Sequence, residues 1–91
     1  MIKNETIIVR NRNIETVNMD NEIGMINVNT GKYYMLDPIG ADIWNFIESE
    51  ITFGDLIEKI QLYYNVEKQT CISDMTDFVN ELQKQKLLDL K

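Results

Sequence analysis

The hydrophobic period changes once along the chain, at Asp37-Pro38, and that change calls for a strand half followed by a helix half. Before it, apolar residues come in short β-branched or alternating runs. Ile7-Ile8-Val9 ends at the polar stretch Arg10-Asn11-Arg12-Asn13, and Val17 and Met19 alternate with polar neighbours as in a half-buried strand. Two richer runs follow, Glu22-Ile23-Gly24-Met25-Ile26-Asn27-Val28 and Lys32-Tyr33-Tyr34-Met35-Leu36. Asn29-Thr30-Gly31 joins them, which makes a hairpin, with Gly31 supplying a positive φ at the turn. Gly24 marks a bulge or a close backbone approach.

After the switch the spacing is helical. Asp37 can accept from the free N–H groups of a helix start, and Pro38 suits the first helical position. Ile39, Ile43, Phe46 and Ile47 then recur on one face, widened by Trp44, and Ile43, Trp44 and Ile47 are expected to form core. Thr52-Phe53-Gly54-Asp55 opens a second helix as a capping-box relative. Its apolar face runs through Phe53, Leu56, Ile57, Ile60, Tyr63 and Tyr64 to a stop at Asn65. A third helix carries Cys71 or Ile72, Met75, Phe78, Val79 and Leu82, and the tail Lys86-Leu87-Leu88-Asp89-Leu90-Lys91 is apolar enough to dock back.

This pattern predicts an α+β domain: a three-stranded antiparallel sheet with strands within residues 5–36, and three helices within 38–88 packed on one face. Ninety-one residues are enough for one domain, 1–91, and too few for two. A three-stranded sheet has edges that are either protected or used. The chain's only proline is Pro38, so no strand is guarded by one, which hints that an edge is meant for a partner.

Several function classes are excluded by what is missing. There is no histidine, hence no common general base, zinc set or Ser-His-Asp triad. Cys71 is the sole cysteine, with no basic cluster beside it in sequence, and reads as a buried filler rather than a nucleophile. No acid lies in an apolar run that would raise its pKa for carboxylate catalysis. The expectation is a binding protein rather than an enzyme, without metal or cofactor. The N-terminus lacks a signal-peptide pattern and no apolar run could cross a bilayer, so a cytoplasmic location without membrane contact is expected.

The net charge is −6, unevenly spread. Residues 1–36 balance, whereas residues 37–66 set six acids against Lys59 alone. On the third helix and its flanks, Lys68, Lys84 and Lys86 are interleaved with Glu67, Asp74, Asp77 and Glu81. Such a surface repels phosphate backbones, which argues against a DNA-binding winged helix. An adaptor that only stabilises an enzyme partner remains compatible with the residues.

The run from Thr30 to Trp44 resembles the core signature of the RiPP recognition elements, the family similar to the pyrroloquinoline quinone biosynthesis protein D. A glycine turn and an aromatic strand precede Leu36, Asp37, Gly40, Ile43 and Trp44. Downstream, Thr52 with Leu56 and Ile57, then Tyr64-Asn65-Val66, and Phe78-Val79 with Leu82 and Leu87-Leu88 extend the similarity, which spans about Val17 to Leu90. The resemblance implies a winged helix-turn-helix-like fold. It also implies a non-catalytic function: capture of the leader segment of a precursor peptide by strand addition, and delivery to maturation enzymes. A free-standing chain of this length resembles the lasso-peptide version, whose partners are a cysteine-type leader peptidase and a cyclase. A pyrroloquinoline quinone-type peptide chaperone is the alternative. The candidate peptide-binding residues are Lys32, Tyr33, Tyr34, Met35 and Leu36 on the strand, with one of Tyr33 and Tyr34 facing the groove. By the resemblance, Met75, Phe78, Val79 and Leu82 of the third helix form the far wall.

Overall fold

A computed structural model describes residues 2–91, with the elements β1 (Ile7–Arg10), β2 (Ile14–Met19), β3 (Glu22–Asn27), β4 (Tyr33–Leu36), α1 (Pro38–Phe46), β5 (Ile51–Thr52), α2 (Phe53–Tyr63), α3 (Lys68–Lys84) and β6 (Leu88–Leu90). The helix starts are built as their sequences require. Asp37 accepts from the Gly40 N–H at 2.7 Å, Thr52 from the Asp55 N–H at 3.1 Å, and Glu67 from the Thr70 N–H at 3.1 Å.

The fold is α+β with three helices, but its strands form two small antiparallel sheets rather than one. β2, β3 and β4 make a meander, and β1 lies apart between β5 and β6. Strands therefore return after Asp37, beyond the expected limits of 5–36. The reason lies in β1, whose Ile8 is fully buried and whose two edges both need partners. Ile51–Thr52 covers one edge, and the apolar tail covers the other by pairing Ile8 with Leu90 and Arg10 with Leu88.

Turn chemistry sets the β3–β4 hairpin. The buried Asn27 accepts from the N–H groups of Asn29 and Thr30 through its side chain, and Gly31 takes φ +73°. Gly24 makes no bulge, because the register runs unbroken through it on both sides.

One core joins both sheets to the helices. Ile8, Met25, Ile43, Trp44, Ile47, Leu56, Val79, Leu82 and Leu88 are its most enclosed members. Arg10 lies 4.4 Å from the centre of the Trp44 ring, and its guanidinium also donates to the Trp44 carbonyl. Burial lowers the pKa of this arginine, with Glu48 acting in the opposite sense. Among the described residues, no helix is long and apolar enough to cross a membrane.

Candidate functional site

β4 ends its sheet: one edge pairs with β3 and, among the described residues, the other meets no strand. Which main-chain groups that open edge offers follows from the ladder. The Asn27 N–H donates to the Lys32 carbonyl at 2.9 Å, so this opposed pair is hydrogen-bonded. Antiparallel pairs alternate, which makes Met25–Tyr34 and Ile23–Leu36 hydrogen-bonded as well. The N–H and C=O groups of Tyr33 and Met35 therefore point away from β3, toward the open edge. Across β3, the Val28 N–H donating to the Asn13 carbonyl at 3.1 Å fits the same alternation.

The side chains divide in the complementary way. Tyr34 and Leu36 face inward with Met25 and Ile23, while Tyr33 and Met35 share the outer face with Ile26 and Gly24. Between β4 and α3 lies a groove of about 320 Å³ lined by Tyr34, Met35, Leu36, Asp37, Phe78, Glu81 and Leu82. A larger recess of about 560 Å³ sits between the β2–β3 turn and α1, with Asp20, Glu22 and Asp42 on its walls. It borders β2, the other end strand of the sheet, but its walls there are polar, whereas the smaller groove sets a strand edge against apolar Phe78 and Leu82 and is the better candidate for peptide capture.

Across the groove the Tyr34 hydroxyl donates to Glu81 Oε2 at 3.2 Å, and Gln85 donates to the same oxygen at 3.0 Å. Burial pushes the Tyr34 phenol up from its ordinary 10.0, and the Glu81 bond adds to this. The hydrogen bonds from Gln85 and Tyr34 hold the Glu81 carboxyl below its ordinary value. Because the folded-state value is the higher one, the Tyr34 contribution to stability is complete below about pH 10 and is lost as pH rises through the raised value. Replacing Glu81 by Gln should move the Tyr34 midpoint down toward 10.0, read at its labelled ring carbon by NMR. An unchanged midpoint would show that the bond is not made in solution. Cys71 is buried, with its thiol pKa raised by burial and then by Asp74, so it stays protonated at neutral pH.

Of the residues singled out from sequence, Tyr34, Leu36, Phe78 and Leu82 meet in the groove, and Met35 borders it at the strand edge with its side chain on the outer face. Leu36 and Leu82 form its buried floor, Phe78 is half-buried at the wall, and Lys32 is exposed at the start of the strand. Tyr33 lies on the opposite face. Val79 is only 1% exposed and lies in the core, with no surface to offer a ligand. Met75 lines a separate apolar cavity of about 240 Å³ with Ile39, Ile43 and Cys71. Asp37 and Glu81 were not anticipated as groove residues. Glu81 could have been found, since it sits three positions after Phe78 on one helix face.

Comparisons with known proteins bear on the family and the fold. A family model described as Coenzyme PQQ synthesis protein D (PqqD) matches residues 22–88, which include β3, β4 and all three helices. No curated protein matches the sequence significantly. Among solved structures, TbiB1 in complex with the TbiA(beta) leader peptide superposes with a TM-score of 0.83 at 26% identity, over 89% of this chain and 94% of that one. With most of its length matched by the family model, including both walls of the groove, the chain belongs to the coenzyme PQQ synthesis protein D family, the RiPP recognition elements.

Proposed function

We propose that this protein binds the leader segment of a ribosomally made precursor peptide as an added strand on β4, and delivers it to a leader peptidase and a cyclase of the lasso type. The observation that carries this reading is the open edge at Tyr33 and Met35 beside an apolar wall of Phe78 and Leu82. Main-chain bonding along an edge supplies affinity for any extended peptide, and the groove supplies specificity. The protein contributes binding and positioning rather than chemistry. Its three helices and β-hairpin form a winged helix-turn-helix turned to peptide capture. The exposed acids Glu67, Asp74, Asp77 and Glu81 on and beside α3 oppose nucleic acid.

The family description also fits a pyrroloquinoline quinone-type peptide chaperone. Similarity to TbiB1, solved with a leader peptide, across nearly the whole of both chains supports leader capture, and the length of the chain, as a free-standing recognition protein, is what favours the lasso reading. Fluorescence anisotropy with labelled synthetic leaders of the two kinds separates them. A lasso leader is expected to bind with micromolar or tighter affinity, about 8 kcal/mol or more. Tyr34→Ala should weaken it at least about tenfold, as removal of an anchoring aromatic does. Preference for the quinone-type peptide would reassign the pathway, and binding of neither would refute the reading.

A further inference from the structure

The groove between β4 and α3 is apolar on its walls but anionic at its rim. Asp37 and Glu81 are its charged lining residues, both exposed, and neither forms an ion pair among the described residues. Each carboxylate is held in place through one oxygen. Asp37 Oδ1 accepts from the Gly40 N–H at 2.7 Å, and Glu81 Oε2 accepts from Tyr34 at 3.2 Å and from Gln85 at 3.0 Å. Asp37 Oδ2 and Glu81 Oε1 accept no hydrogen bond among the described residues, so each keeps an oxygen for a donor from outside. Lys84, three positions along α3, does not fill that role. It makes no ion pair with Glu81 and is the smallest of the influences that lower the pKa of that carboxyl. Lys32 is exposed at the start of β4 and does not line the groove.

A strand added to β4 sends alternate side chains into the groove, at the positions opposite Tyr34 and Leu36. The side chain opposite Tyr34 meets three things at once: the half-buried Phe78, the Tyr34 ring and the free oxygen of Glu81. A purely apolar side chain there would use the first two and strip water from a carboxylate without replacing it, which costs free energy. Lysine or arginine uses all three. Its stem lies along Phe78 while its cationic head reaches Glu81 and the ring face. An acidic side chain would be repelled, and the wider field has the same sign. The protein carries −6, and Asp74 and Asp77 lie within two turns of Glu81 on α3.

We propose that Glu81 is a specificity-determining residue, selecting leaders that place a lysine or arginine opposite Tyr34, with Asp37 adding to the attraction at the end of β4. The inference rests on the leader-binding reading and names the side-chain chemistry that the groove takes. The test is anisotropy with a labelled synthetic lasso leader against Glu81→Gln, Glu81→Lys and Glu58→Lys. Glu81→Gln keeps an acceptor for Tyr34 and removes only the charge. It should weaken binding about threefold to fivefold at low salt, and Glu81→Lys at least about tenfold. Both losses should shrink at high salt. Glu58 lies on α2 outside the groove, so Glu58→Lys makes the same change of charge and should stay within about twofold of wild type. A leader with the responsible lysine or arginine changed to glutamate should bind wild type poorly and regain affinity with Glu81→Lys. Thermal unfolding of each variant certifies its fold, and the near-isosteric Glu81→Gln keeps the test valid even where Glu81→Lys is destabilised. Equal weakening by Glu81→Lys and Glu58→Lys would show that only the overall field acts, and overturns the inference. Unchanged affinity of Glu81→Gln overturns it too, as does unchanged affinity of a leader whose lysines and arginines are all replaced by norleucine. Leader binding itself survives these outcomes. Failure of the wild type to bind any leader removes the leader-binding reading, and the selectivity of Glu81 falls with it.

Discussion

Replacing Met35 by proline is expected to weaken leader binding at least about 30-fold, roughly 2 kcal/mol, while the domain stays folded. Met35 directs its N–H away from β3, to the open edge, because the hydrogen-bonded pairs with β3 fall at Lys32, Tyr34 and Leu36. Proline is tolerated on an edge strand when its missing N–H faces solvent. An added strand would lose that donor and meet the ring instead. Two controls separate the main-chain effect from others. Met35→Ala keeps the N–H and should weaken binding much less. Tyr34→Pro removes an N–H that bonds β3 and should lower stability by about 1–3 kcal/mol, the cost of leaving the β3 carbonyl without its donor. Anisotropy with labelled leader and urea unfolding of each variant provide the readouts. If Met35→Pro binds as wild type does, the leader does not pair along β4.

Trp44→Ala should have the larger effect on stability, about 3–5 kcal/mol, with the midpoint of thermal unfolding lower by roughly 12 °C or more. Trp44 is 2% exposed and joins α1 to the β5–β1–β6 sheet through Arg10. Truncation opens a cavity and strips the half-buried guanidinium of its aromatic face. The Nε of Arg10 already lacks a partner within the described residues, so the group left behind would be poorly satisfied. Denaturant unfolding measures the loss. A change below about 1 kcal/mol would show that the α1 core is looser than its burial indicates.

These two sites also mark what could be read from the chain. The change of period at Asp37-Pro38, the Asn-Thr-Gly hairpin turn and the apolar stripe around Trp44 are local signals, and each appears where it was expected. β5 and β6 are two and three residues long, too short to show any period, and they exist because β1 has two edges to satisfy. Arg10 and Trp44 are 34 positions apart, and nothing in either neighbourhood announces their stacking. The groove was legible as a strand and a helix stripe, but not in detail. Alternation separates Tyr33 from Tyr34 without saying which turns inward; the pairing of Tyr34 with Met25 decides that. Phe78 and Val79 differ by about 100° around α3, and a stripe this wide cannot tell wall from core. Burial against the other helices decides it.

Amide exchange by NMR, with unlabelled leader added to labelled protein, tests the added strand most directly. Without leader, the Tyr33 and Met35 amides face solvent and should exchange quickly, while the Tyr34 and Leu36 amides are protected by β3. With leader bound, exchange at Tyr33 and Met35 should slow at least about tenfold, and shifts should spread over residues 32–36 and 72–82. Shifts confined to residues 38–64, with Tyr33 and Met35 exchanging as before, would contradict strand addition on β4.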